Sequence, residues 1–281
     1  MPAIVLSINR HPVSIDMDKF LMESLRIVDV AKENDVVVRI LGGFGIYIHA
    51  GHCGDCRPLQ LRLGRLGDGN PAFTDLDLIG YSKQWGKIRD VLEKKAQLQP
   101  DRMINALYGN ERLVYYHPQH KFPIDVFFDH LDYSHEVSFG EYKKGRLELD
   151  YPTLGLADLM LEKLQVHQIN TKDLIDMIVL TLSHSISESP EAEAIDAKHI
   201  SRTLAGDWGF WYDATQNLAH VKSYAKQVHG EGKMTEIQWK ELEAKIAKLE
   251  SIIEAEPKTD EWKVRSRVGT AKQWFKDVTD L

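Results

Sequence analysis

Apolar residues recur along this chain in two textures, and one gives way to the other near Tyr151. In SIDMDKFLMESLRIVDVAK (14–32), Phe20, Leu21, Leu25, Ile27 and Val28 keep close to a 3.6-residue period, which predicts a helix. VVVRIL (36–41) is a short β-branched run between Asp35 and Gly42-Gly43, the pattern of a strand. FGIYIHA (44–50) predicts a helix opening after those glycines. Gly51 to Pro71, rich in Gly, Arg and Asp, has the composition of an inserted loop or short hairpin. TDLDLIG (74–80) predicts a strand, and Ser82 is the expected cap of a helix running to about Lys95. LVYY (113–116) and FPIDVFF (122–128) are the expected arms of a hairpin around HPQHK.

Beyond Tyr151 the periods lengthen. LADLMLEKLQVHQI (156–169) is apolar at helical spacing, and Thr171 is the expected cap of a second helix, KDLIDMIVLTLSH. SISESPEAEA (185–194) is a polar loop, and Asp196 starts another helix. Thr235 opens a long helix with Gln238 at the capping-box position; Ile237, Leu242, Ile246, Leu249 and Ile253 form its stripe, stopped at Pro257. The expected fold is α+β. A mixed β-sheet with flanking helices spans residues 1–150, and a helical domain spans 151–281.

Composition adds mainly exclusions. A net charge of −7 gives no support for a nucleic-acid surface spread over the whole molecule. The chain has no apolar run of about 18 residues, so no membrane partner is expected. MPAIVLSINRHP has too short an apolar stretch for a signal peptide. Two cysteines in this length suggest a reducing compartment, and cytoplasmic localisation is the simplest expectation.

The candidate chemistry lies in the first half. Asp75 and Asp77 alternate with Leu76 and Leu78, so both carboxylates fall on one side of their strand. Like charges that close repel unless a cation sits between them. Asp125 is flanked by Ile124 and Val126, which point the opposite way, and a buried acid without a partner is costly. Three carboxylates on neighbouring strands suit Mg2+ (or Mn2+), which prefers few carboxylates plus phosphate oxygens and water. Gly42-Gly43, at a strand-to-helix turn, leaves backbone N–H groups where phosphate oxygens bind well. Together these parts suit a nucleoside triphosphate and divalent cations.

A Gly-Gly turn, a strand carrying TDLDL and a later IDVFF resemble the nucleotidyltransferase superfamily of DNA polymerase β-like proteins. LADLMLEKLQVHQINTKDLIDM is similar to the helical motif of AbiEii-like nucleotidyltransferases, the toxin partners of some toxin–antitoxin pairs. GDWGFWYDATQNL and WKVRSRVGTAKQWF are similar to an uncharacterised branch of that group. The resemblance implies a nucleotidyltransferase-like catalytic domain over 1–150, with a catalytic set of Asp75, Asp77, Asp125, Lys163 and Asp173. Asp75, Asp77 and Asp125 would hold metal. Gly42, Gly43, Thr74 and Lys163 would hold the nucleotide. The reaction implied is transfer of a nucleoside monophosphate from an NTP to an acceptor hydroxyl, with release of pyrophosphate. The acceptor stays open among tRNA or other RNA, a protein and a small molecule, and an antitoxin protein is a further implied partner. One departure stands out: Asp75 lies 32 positions after Gly43, a longer gap than the family's, so 51–71 would be an insertion beside the site.

Other motifs keep more than one meaning. His49, His52, Cys53 and Cys56 in HAGHCGDC offer soft ligands, yet lack the two separated pairs of most structural zinc sites and any thioredoxin-like surroundings. Ordinary loop cysteines are the favoured alternative. Arg57, Arg62 and Arg65 either grip phosphate or sit on a solvated loop. The aromatics of DWGFWYDA (207–214) either stack on a base or fill a helical core. Acids at 173 and 176 also suit the first turns of a helix for electrostatic reasons alone. The functional rivals to an enzyme are a nucleotide-binding regulator without turnover and an interaction protein whose role depends on an antitoxin.

Overall fold

The computed structural model describes residues 3–5, 16–67 and 70–280. The N-terminal stretch weighed as a signal peptide, and Ser14 at the expected start of the first helix, fall mostly or wholly outside these residues. In chain order, β1 (Ala3–Val5), α1 (Met17–Glu33), β2 (Val38–Ile40), α2 (Gly42–His49), α3 (Cys56–Arg62) and β3 (Leu76–Gly80) come first. Then follow α4 (Trp85–Lys94), β4 (Gln99–Pro100), α5 (Arg102–Tyr108), β5 (Arg112–Tyr116), β6 (Pro123–Phe128), β7 (His130–Asp132) and β8 (Glu136–Ser138). The second half comprises α6 (Leu156–Leu164), α7 (Thr171–Ser183), β9 (Ser185–Ser187), β10 (Ala194–Asp196), α8 (Ala197–Gly206), α9 (Trp208–Gly230), α10 (Glu236–Ala255), α11 (Asp260–Ser266) and β11 (Val278–Asp280). The fold is α+β, as the texture predicted. No helix among the described residues is long and apolar enough to cross a membrane.

Five strands form one mixed sheet in the order β2-β3-β6-β5-β4. The pair β3 and β6 is parallel, and its register sets Asp77 directly against Asp125. The pair β5 and β6 is the expected hairpin, antiparallel from Arg112–Phe127 to Tyr116–Pro123. Alternation along these strands divides two cores. Leu76, Leu78, Ile124 and Val126 pack beneath the sheet with Phe20, Phe44, Phe122 and α4. Ile79 points the other way, into a core shared with the helices of the second half, and Phe127 packs against it. Burying a leucine or isoleucine side chain stabilises by about 1.5–3 kcal/mol. With Leu76, Leu78 and Ile124 all fully buried, the acidic face cannot be exchanged for the apolar one by a register slip.

The core on the acidic side also crosses the expected boundary at residue 150. Ile46, Leu59 and Leu63 of the first half pack with Met160, Ile178 and Leu218 of the second. The 51–71 stretch contributes to it as α3 rather than as a loop or hairpin, because Leu59 and Leu63, four residues apart, supply an apolar face that α7 covers.

Local capping departs from expectation at two helices. Asn170, not Thr171, caps α7, accepting from the Asp173 N–H at 3.1 Å. Ser82 lies in a short 3-10 turn and gives no side-chain cap; its own N–H donates to Asp129. The Thr235–Gln238 capping box of α10 forms as expected, and Asp196 caps α8. Ile237 is 78% exposed, and Ile252 takes the buried place expected of it, because the stripe begins only a turn and a half into α10. The polar loop 185–194 is partly ordered as a parallel pair, β9 against β10. The aromatics at 208–212 serve packing: Trp208 stacks on Tyr212, and both meet Trp274 edge-on.

Candidate active site

Between the acidic face of the sheet, α6, α7 and the C-terminal segment lies a cavity of about 570 Å³, within the 300–1,000 Å³ or so of small-molecule sites. Its walls include Gly42, Gly43, Thr74, Asp75, Asp77, Asp125, Lys163 and Asp173, so every site residue expected from the sequence comes together here. Asp75 immediately precedes β3 rather than lying within it, and accepts from the Thr74 hydroxyl at 3.2 Å. The Asp77 carboxylate has no hydrogen bond or ion pair among the described residues. It lies against the glycine turn, where a Cβ on Gly42 would come within 3.3 Å of its Oδ2. Gly42 also has φ +72°, a conformation that side chains with a Cβ rarely adopt.

Three expected residues have partners that the sequence did not announce. Asp125 is fully buried, and Arg112, diagonally across on β5, grips it through Nε–Oδ1 at 3.1 Å and Nη2–Oδ2 at 2.8 Å. The inference that a buried acid here lacks a protein partner is therefore corrected. Lys163 is buried, with its ammonium 2.9 Å from Asp173, 3.3 Å from Asp176 and 3.5 Å from Glu162. Burial alone would lower its pKa, but these three carboxylates outweigh it and hold the lysine charged. The Gly42 N–H, a candidate phosphate donor, gives its hydrogen to Glu162 Oε2 at 3.1 Å.

Four residues outside the expected set complete the site. Arg65, from the 51–71 stretch, reaches α7 and donates to Asp176 through Nε at 2.8 Å and Nη2 at 3.0 Å. Gln60 donates to Asp176 Oδ1 at 2.9 Å. Of the three arginines considered for phosphate contact, Arg65 is thus held by a carboxylate. Arg57 donates to the carbonyls of Tyr47 and Ile48, and Arg62 to that of Lys233. A Cβ at Gly43 would fall 2.4 Å from both Arg65 Nη2 and Asp176 Oδ2, so this second glycine is required by the ion pair passing over it. Glu162, beside Lys163, is the third residue and has its carboxyl pushed up to about 7, chiefly by burial. Lys172, exposed at the rim, is the fourth. Among sequence signals, only the i, i+3 placement of Asp173 and Asp176 and the adjacency of Glu162 to Lys163 hinted at this network.

The cavity therefore separates its charges. Arg65, Arg112 and Lys163 are neutralised by Asp176, Asp125 and Asp173. Asp77, at the strand edge, is an anionic part of the wall, and Lys172 at the rim feels its charge. Two adjacent carboxylates of hard oxygen donors fit a divalent cation such as Mg2+. Asp125, on the neighbouring strand, keeps acceptor capacity beyond the two contacts made by Arg112. Comparison with protein-family models, curated proteins and solved structures finds no significant match for this chain.

Proposed function

We propose that the protein is a metal-dependent nucleotidyltransferase, moving a nucleoside monophosphate from an NTP to an acceptor hydroxyl. The observation that carries this reading is the Asp75–Asp77 edge, set against Asp125 across parallel strands and facing the Gly42-Gly43 turn inside one cavity. Asp75 and Asp77 are the residues that would hold Mg2+ or Mn2+. A bound cation there would supply Lewis-acid stabilisation of charge developing on the phosphates. Lys172 is the rim cation disposed toward phosphate, whereas Lys163, saturated by carboxylates, holds α6 to α7. The buried Arg112–Asp125 pair, neutral overall, lines the acidic side of the sheet. The fold reading proposed with this activity is nucleotidyltransferase-like, and an antitoxin partner would follow from the resemblance alone.

The test is incubation with each α-labelled NTP, Mg2+, and total RNA or protein lysate. Label is expected to move into one class of acceptor, and which class it enters identifies the substrate. Absence of label in RNA, protein and small molecules with all four NTPs would defeat the proposal.

The two-point grip of Arg112 on Asp125 favours one alternative: binding of a nucleotide without turnover, with the third acid serving structure. Under that alternative NTP binds in a Mg2+-dependent way and no label is transferred.

Glu162 sets a pH dependence for the same site. With its carboxyl titrating near 7, it is largely protonated at pH 6 and ionised at pH 8, where it adds negative charge at the glycine turn. Affinity for a triphosphate should therefore be lower at pH 8 than at pH 6 by more in the native protein than in Glu162→Gln. Calorimetric titration of both proteins with a non-hydrolysable NTP analogue measures this difference. Parallel pH profiles for the two would remove Glu162 from the account.

A further inference from the structure

At the far ends of the two helices that bound the cavity lies a second cluster, unrelated to the acidic edge. His49 is the last residue of α2, His184 directly follows α7, and Glu193 precedes β10. Their ligand atoms all lie within 4.8 Å of one another, with Glu193 Oε2 3.6 Å from His184 Nε2 and 3.9 Å from His49 Nδ1.

The hydrogen bonds around the rings decide which nitrogens carry protons. His49 Nε2 faces oxygens: the Leu154 carbonyl at 3.0 Å, Thr153 Oγ1 at 2.6 Å and Asp150 Oδ2 at 3.6 Å. Its proton belongs there, which leaves a lone pair on Nδ1. Ser183 Oγ donates to the Val179 carbonyl at 2.7 Å, so it accepts from His184 Nδ1 at 2.8 Å, with the Leu180 carbonyl 3.2 Å away. The lone pair of His184 is therefore on Nε2. That atom is buried and without a hydrogen-bond partner, and its side chain has no exposure to solvent. Backbone carbonyls and carboxylates that fix the outer nitrogen in this way are the usual support of metal-bound imidazoles.

We propose that His49 Nδ1, His184 Nε2 and the Glu193 carboxylate form a binding site for one divalent transition-metal ion of the zinc class. Metal–ligand bonds of about 2.0–2.2 Å place two ligands of a tetrahedron about 3.4 Å apart. The two Glu193–histidine separations, 3.6 and 3.9 Å, need only a small contraction to reach that geometry, and the two ring nitrogens lie within 4.8 Å of each other. Glu193 has φ +57°, a left-handed conformation that brings the chain around between β9 and β10, beside the histidines. The carbonyl ends of α2 and α7 carry partial negative charge that favours a cation here.

This site is not the one HAGHCGDC suggests. Cys53 and Cys56 are joined in a disulfide, so neither offers a thiolate, and the expectation of ordinary loop cysteines, with the reducing compartment inferred from the cysteine count, is corrected. His52 has both ring nitrogens on backbone carbonyls, of His49 and Ser183, each at 2.9 Å. Only His49 of that motif takes part, with partners more than 130 residues away in sequence. The role assigned is a structural one. The ion ties the 185–196 segment to the ends of α2 and α7, whose opposite ends carry Gly42-Gly43 and Asp173–Asp176.

The experiment is titration of metal-stripped protein with Zn2+ by calorimetry and with Co2+ by visible absorption, both in excess Mg2+ to keep the acidic cavity occupied. The expected result is one equivalent bound, intense tetrahedral d–d bands with Co2+, and a rise in Tm with Zn2+. His184→Ala should abolish the bands. Glu193→Gln, at a largely exposed position whose replacement leaves the fold intact, should weaken binding at least about tenfold. Asp77→Asn should leave it unchanged. The inference is overturned if no stoichiometric binding occurs, if Glu193→Gln binds as the native protein does, or if Asp77→Asn removes the Co2+ bands.

Discussion

Replacing Asp77 by Asn should reduce transfer of label from an α-labelled NTP by about a thousandfold, equivalent to about 4 kcal/mol of transition-state stabilisation. The same substitution should leave the fold at least as stable as before. Its carboxylate has no protein partner among the described residues, stands beside Asp75, and faces Asp125 across the strand pair. Neutralising it therefore breaks no hydrogen bond and relieves like-charge repulsion. A site kept at some cost in stability is the mark of a functional carboxylate rather than a structural one. Label-transfer rates and urea midpoints, measured on the same preparations, check both halves. Unchanged transfer would sink the catalytic role; a large fall in stability would mean that Asp77 is a structural residue.

The largest loss of stability is expected at Asp176. This fully buried carboxylate accepts two hydrogen bonds from Arg65 and one from Gln60, and lies 3.3 Å from Lys163. Asp176→Ala leaves Arg65 and Lys163 buried with Asp173 as their main counter-charge. Removing one partner of a buried pair costs about 3–5 kcal/mol. Asp176→Asn should cost less, because an amide oxygen still accepts from Arg65. The pH dependence has a definite sign. Burial would raise the Asp176 pKa, but the Arg65 and Lys163 charges, with hydrogen bonds from Arg65 and Gln60, hold it below the ordinary 3.8. A carboxyl depressed on folding contributes stability above its unfolded pKa and loses it as pH falls through the folded one. The gap between native protein and Asp176→Asn should thus be full at pH 6 and shrink below about pH 4. Chemical denaturation across that range measures it, and a gap independent of pH would show that the charge of Asp176 contributes nothing.

These two aspartates differ in how far the sequence could reach them. Asp77 was legible because alternation is local: Leu76 and Leu78 demand a core, and the pleat then turns Asp77 to the other face. Its meeting with Asp125 was an expectation carried by resemblance, and the register of β3 against β6 realises it. Asp176 sits one turn from a helix start, where an acid needs no partner to explain it. Its partner Arg65 lies 111 residues away in a stretch that reads as a loop. Nothing in the composition of 51–71 reveals that Leu59 and Leu63 would fold it as α3 onto α7 and so deliver an arginine to the cavity wall. The Arg112–Asp125 grip was hidden for a similar reason, since diagonal neighbours on adjacent strands depend on hairpin register. His184 was further still beyond sequence reading, because the lone-pair directions of both histidines follow from backbone carbonyls of two segments distant in the chain.

What the sequence alone determined is therefore everything that depends on short-range periodicity: the α+β texture, the acidic edge of one strand, the hairpin that carries Asp125, and most helices of the second half. Which charges face one another, and which are left to face a ligand, was decided only by tertiary structure. Long-range pairing depends on packing and register between segments distant in the chain. No local pattern encodes the partner that a buried charge will find.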